Sequence, residues 1–314
     1  MATFINNHLA YITFDNNSLL SELFGTDDSY LRYIEQKLKV TITVRGNKLS
    51  ISGFAKQTDF AKFVLETLYK QLKQTKSLDI KDFESTIELA RANQMNISTD
   101  SIYIKTPKRV ISPYSYNQSQ YLCALKNQEI VFATGPAGTG KTYLAVAHAV
   151  HMFLTKQVER IILTRPAVEA GEKLGFLPGD IKEKIDPYLQ PLYDALLDMI
   201  NADLLAKYMD NGEIELAPLA FMRGRTLNNA YIILDEAQNT TTIQMKMFLT
   251  RLGKYSRMVI TGDPSQGDLL GQKSGLVDAI NKLSSIPEIG FILLNEKDII
   301  RNPLIIKIIQ AYNQ

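Results

Sequence analysis

The sequence predicts an α/β protein, a three-layer sandwich with a mostly parallel sheet, preceded by a small α+β module. Three observations carry this. Short apolar runs alternate with helical patterns through the C-terminal two thirds of the chain. One such run, Glu129 to Thr134, leads through a glycine-rich loop into the alanine-rich stretch Tyr143 to Val150. Another, Ala230 to Leu234, ends in two adjacent acids, Asp235 and Glu236.

The 314 residues suit two domains, and 45% hydrophobic with 22% charged residues is an ordinary globular composition. A net charge of +2 does not by itself argue for nucleic acid, and it leaves room for a local basic groove. Cys123 is the only cysteine, so no intrachain disulfide is possible and a reducing, cytoplasmic location is expected. The first residues lack a basic stretch followed by an apolar one. No apolar run reaches the ~18 residues of a membrane span, so neither a signal peptide nor a membrane partner is expected.

In residues 1–14 alternating apolar positions suggest a first strand. Ser18 to Phe24 and Ser29 to Leu38 read as helices broken at Gly25. Val40 to Val44 alternates as a strand, Arg45-Gly46-Asn47 turns, and Lys48 to Ser52 returns as its hairpin partner. Thr58 to Leu72 is an amphipathic helix. Residues 1–75 thus resemble a KH-like module. Such modules clamp RNA with a G-x-x-G loop. Here the corresponding stretch is Gly25-Thr26-Asp27-Asp28, without the second glycine and with two acids. RNA contact through that loop is one reading; a docking or oligomerisation module, which the acids favour, is the other. Residues 76–112 read as a connector with one helix, Ile80 to Ala92, and strand-like residues at Ile97-Ser98 and Ile102 to Ile104. Ser112-Pro113 opens the third segment, 113–314.

That segment centres on Gly135-Pro136-Ala137-Gly138-Thr139-Gly140-Lys141-Thr142, which has the spacing G-x-x-x-x-G-K-S/T between strand and helix. Its glycines let successive N–H groups turn inward on a triphosphate, and the helix N-terminus adds partial positive charge. Lys141 is placed to reach the β- and γ-phosphates, and the Thr142 hydroxyl to ligate magnesium. ATP and Mg²⁺ are therefore the expected cofactors. Upstream, Gln118 with Tyr121 three residues on resembles the Q-motif of helicase-like ATPases, an amide that reads adenine. Of the two acids after the strand, Asp235 is assigned to the metal and Glu236 to orienting and deprotonating the attacking water.

Further along, Ser256 to Gln266 is a strand ending in polar residues, and Gln266 is the candidate sensor of the γ-phosphate or the water. Arg301 is the candidate charge-stabilising arginine, in cis or across a subunit interface. Pro303 suits the first turn of a final helix running to Tyr312. Arg165 opens a loop rich in Gly, Pro and charge. Contact with a nucleic acid phosphate, with a neighbouring subunit, or a structural salt bridge all remain open for it. Arg223 and Arg225 lie in a basic turn with the same nucleic acid or nucleotide options. His148 and His151, three apart with no Cys or acid completing a set, read as packing or surface residues.

Together the phosphate loop, Arg165-Pro166-Ala167-Val168-Glu169-Ala170-Gly171-Glu172, Met222-Arg223-Gly224-Arg225-Thr226-Leu227, Asp235-Glu236-Ala237-Gln238-Asn239, Gln244 to Arg251 and Thr261-Gly262-Asp263 resemble the PhoH-like ATPase family. The likeness covers about residues 113–314. It implies a RecA-like core akin to superfamily-1 helicases, dependence on ATP and Mg²⁺, a cytoplasmic location and a tie to RNA metabolism. Single-stranded RNA, a ribonuclease or ribosome-maturation partner, and further copies of the chain are the partners that follow, since one such core would translocate only as a ring or dimer. Two readings of function stand: an ATP hydrolase coupled to RNA handling, and an ATP-switched docking module with slow hydrolysis. The chain departs from the family at Asn302, where a histidine is usual, and at Gly267, where a bulkier residue is common.

Overall fold

The computed structural model describes residues 8–92, 103–166, 181–267, 273–299 and 311. The strand expected at Ile97-Ser98, the bulk of the loop after Arg165, Arg301 and the final helix lie outside them. The chain divides into two compact units, residues 1–102 with 112–116, and residues 103–111 with 117–314.

The first unit contains β1 (His8–Thr13), α1 (Leu20–Phe24), α2 (Ser29–Leu38), β2 (Thr41–Arg45), β3 (Lys48–Gly53), α3 (Ala55–Thr75) and α4 (Ile80–Ala92). Its three strands form an antiparallel sheet in the order β1-β3-β2. Period-two alternation sorts the side chains. Ala10, Ile12, Leu49 and Ile51 are buried on one face, in one core with Leu23, Ile34, Val64 and Leu68 of the helices. Each of the larger aliphatic side chains in that core contributes about 2 kcal/mol relative to exposure. α4 packs on α3 and adds Phe83 and Ile87 to the same core. Between α1 and α2 the chain turns through positive φ at Gly25, Asp27 and Asp28, and both acids are exposed.

The second unit begins with a short antiparallel pair, β4 (Ile104–Lys105) and β5 (Val110–Ile111), then α5 (Tyr116–Asn127). There follow β6 (Ile130–Thr134), α6 (Lys141–Leu154), β7 (Arg160–Arg165), α7 (Ile181–Met199), α8 (Ala202–Asp210) and β8 (Ile214–Pro218). The chain continues with β9 (Ala230–Leu234), α9 (Thr242–Leu249), β10 (Arg257–Gly262), α10 (Gly275–Leu283) and β11 (Ile289–Leu293). Six strands make one sheet in the order β11-β6-β10-β9-β7-β8, every neighbouring pair parallel.

Both faces of that sheet are covered, which is why its strands read as unbroken apolar runs. Successive residues feed two separate cores. Val131, Ala133, Tyr231 and Ile233 pack with α6 and α7 residues such as Val146 and Leu192. Their neighbours Phe132, Ile232 and Leu234 pack with Met245 and Phe248 of α9 and Leu276 of α10. Two helical layers around a parallel sheet are the three-layer α/β architecture the sequence predicts.

Candidate nucleotide site

Because all six strands run the same way, their C-terminal ends share one edge, and the site lies there. Register fixes which residues meet. Leu234 stands beside Thr164 on one side and Ile260 on the other. The next residues, Arg165, Asp235 and Thr261, therefore form a row across β7, β9 and β10.

The loop after β6 is built on three glycines at positive φ, Gly135, Gly138 and Gly140. Gly135 is the most constrained: a Cβ there would stand 2.2 Å from the Leu294 carbonyl oxygen. Within this loop Lys141 is buried, and its Nζ donates to the carbonyls of Gly135 (2.6 Å) and Pro136 (2.8 Å). Burial lowers its pKa from the usual lysine value, while the carboxylates of Asp263, Asp235 and Glu236 act in the opposite direction.

Thr142 donates its hydroxyl to Asp235 Oδ1 at 2.6 Å, and Thr261 donates to the same oxygen at 2.7 Å. A hydroxyl and a carboxylate converging in this way form the hard-oxygen donor set that suits Mg²⁺. Among the described residues no group of three or more His, Cys, Asp and Glu could hold a metal. His148 is buried, with Nδ1 2.9 Å from the Tyr231 hydroxyl, and burial lowers its pKa to about 3.

Both oxygens of Glu236 have partners. Oε1 accepts from Arg165 Nη2 at 2.6 Å, and Oε2 accepts from the Gln238 amide. Arg165 also places Nε 3.6 Å from Asp235 Oδ2 and donates Nη1 to the Tyr188 carbonyl at 2.8 Å. Of the roles open to it in the sequence, the structure places it in the salt bridge. Gln238 in turn accepts the Asp263 N–H at 3.0 Å. Asp263 takes the Ser265 amide and hydroxyl on Oδ1, and its Oδ2 is buried with no hydrogen-bond partner.

A cleft of about 250 Å³ runs between these groups, lined by Gly138, Lys141, Thr142, Asp235, Glu236 and Gln266, with Asp263 at its wall. Gln118 is not among its lining residues. That side chain is 1% exposed, and its amide donates to the Thr139 carbonyl at 3.0 Å, bracing the phosphate loop. Arg225 is held by a two-pronged pair with Glu215 at 2.6 and 2.7 Å, and Arg223 is exposed.

The family description "PhoH-like protein" matches residues 110–313. The chain belongs to the PhoH-like family. A "PhoH-like protein" of Bacillus subtilis (strain 168) is 48% identical over 297 residues, 93% of each chain. One from Mycobacterium bovis is 48% identical over 298 residues, 94% of this chain and 85% of its own. "Protein PhoH" of Escherichia coli K12 is 45% identical over 199 residues, 62% of this chain and 56% of its own. The PhoH-like match spans the second unit's sheet and the cleft at its edge.

The residues at this edge that sequence reasoning leaves without a role are Thr261, Gln238 and Asp263. Each is polar and sits at or just beyond the C-terminal end of a parallel strand, a signal available once strand order is known.

Proposed function

We propose that this PhoH-like protein binds ATP with Mg²⁺ and hydrolyses it, and that turnover is coupled to RNA metabolism. The observation that carries this is the 2.6 Å contact between Thr142 of the phosphate loop and Asp235 at the end of β9. It joins the two motifs that a triphosphate and its metal require on opposite sides.

Bound Mg²⁺ would neutralise phosphate charge and polarise the γ-phosphoryl group. Thr142 and Asp235 would hold it. The backbone from Gly135 to Gly140 would cradle the phosphates, and Lys141 would leave the loop carbonyls for the β- and γ-oxygens. Glu236 would orient and deprotonate the attacking water, with Gln266 on the γ-phosphate side. Gln118 is kept as the adenine reader on its position just upstream of the phosphate loop, and its bond to the Thr139 carbonyl must then open for the base. Arg301 is kept as the charge-stabilising arginine, in cis or across an interface between copies. The KH-like identity of the first unit, a cytoplasmic location, and a ribonuclease or ribosome-maturation partner belong to the same proposal. No helix among the described residues is long and apolar enough to cross a membrane.

A second reading has its own support. With Arg165 on one oxygen of Glu236 and Gln238 on the other, the base is held away from its task, as a slow switch would need. Phosphate release with and without single-stranded RNA separates the two. Stimulation by RNA supports the hydrolase. No stimulation, with a protein partner retained only in ATP, supports the docking switch. Lys141→Ala removes the phosphate ligand and abolishes turnover in either case.

A further inference from the structure

We propose that the open face of the β1-β3-β2 sheet is a landing surface for single-stranded RNA; this rests on the RNA arm of the reading above and gives it a place. Strand register sets three rows across that face: Leu9, Ser52 and Thr41; then Tyr11, Ser50 and Thr43; then Thr13, Lys48 and Arg45. The opposite face is the buried one. Here Tyr11 is 62% exposed and Leu9 47%, against 7% for Ala10 and 5% for Ile12 between and beside them.

The chemistry of these nine positions is one-sided. None is acidic, two are cationic, and five are serine or threonine. Lys48 and Arg45 sit side by side in the last row and are both exposed, next to the hairpin turn. Tyr11 lies in the middle row on the edge strand β1, one row away and roughly 7 Å along the strand, an exposed aromatic plane beside the hydroxyl-bearing positions. An unstacked base can lie on such a ring while the adjoining phosphates meet the cations. A duplex keeps its bases stacked and could not use the ring. The hydroxyl rows offer donors and acceptors to ribose 2′-OH groups, which favours RNA over DNA. By contrast, the turn where a G-x-x-G clamp would lie presents Asp27 and Asp28, which repel phosphate.

The test uses the full chain and a fluorescein-labelled 12-nucleotide oligouridylate, with anisotropy measured over a salt series. Tyr11→Ala should weaken binding roughly tenfold. Arg45→Glu with Lys48→Glu should weaken it further and flatten the slope of log affinity against log salt by about 1.4. All three side chains are exposed, and circular dichroism checks that the variants keep the wild-type fold. Unchanged affinity and slope in both variants overturns the proposal. A change in solution mass in place of RNA affinity also overturns it, making the face a contact between copies. A wild-type chain that hydrolyses ATP but leaves the oligonucleotide unbound sinks this inference and leaves the hydrolase reading standing. Binding through this face without ATP turnover does the reverse.

Discussion

Arg165 touches both acids at the end of β9 and one carbonyl of α7, and its side chain is only 18% exposed. Removing it leaves Asp235, itself buried, without its guanidinium neighbour. Arg165→Ala should therefore destabilise the protein by about 1–3 kcal/mol in urea unfolding, and Arg165→Lys should recover only part, because an ammonium lacks the fork that spans three acceptors. His148 makes a second residue-scale prediction. Its folded pKa, about 3, lies below its unfolded value of 6.5. The unfolded chain thus takes up a proton first as pH falls. Stability held above pH 6.5 is lost at about 1.4 kcal/mol per pH unit toward pH 3. Between pH 6.5 and 5 the wild type should lose about 2 kcal/mol more than His148→Gln. At this scale the meeting of Lys141, Thr142, Asp235 and Glu236 at one cleft is legible in the sequence, because both motifs have fixed local spacing after a strand. Arg165 is legible as important, but its partner is not. That partner is set by β7 lying beside β9, a pairing that brings together residues 71 positions apart.

At the scale of elements, the strands are plain in the sequence and several helices are not. β6, β9 and β10 are buried on both faces, so their apolar runs have no rival reading. α5 is hard to read as a full helix because Asn117, Gln118, Ser119 and Gln120 interrupt its apolar pattern, although Gln118, Tyr121, Leu122 and Leu125 are all buried. α9 is only eight residues long and is held by a cap rather than by periodicity. Thr241 accepts from the Gln244 amide, and Gln244 accepts from the Thr241 N–H. Thr241→Ala should cost about 1 kcal/mol, read by thermal unfolding, since the first turn then loses an acceptor. The phosphate loop is braced from its neighbours as well as from within. Gly135→Ala would drive a methyl into the Leu294 carbonyl at 2.2 Å and force a side chain to φ +142°. The loop must shift, so nucleotide affinity should fall at least tenfold in a fluorescent-nucleotide titration, with stability reduced by about 1–3 kcal/mol.

Over the whole molecule, the fold explains why motifs distant in sequence meet at one cleft. β10 stands between β6 and β9, so the phosphate loop and the acid pair are one strand apart, and Thr261 of β10 bridges the gap by bonding Asp235. Parallel direction gathers the ends of β6, β7, β9 and β10 at one edge. The class of fold can be read from alternating strand and helix patterns; the order of the strands cannot, because nothing in a strand's own residues names its neighbour. The first unit is legible in its elements, while the one-sided chemistry of its open face appears only when register aligns β1, β3 and β2. The proposed hydrolysis turns on Glu236 acting on water beside a metal that Thr142 and Asp235 would hold. Its most direct test is phosphate release and ATP retention in Glu236→Gln. Turnover should fall at least about a hundredfold while ATP and Mg²⁺ stay bound; turnover at the wild-type rate would contradict the account.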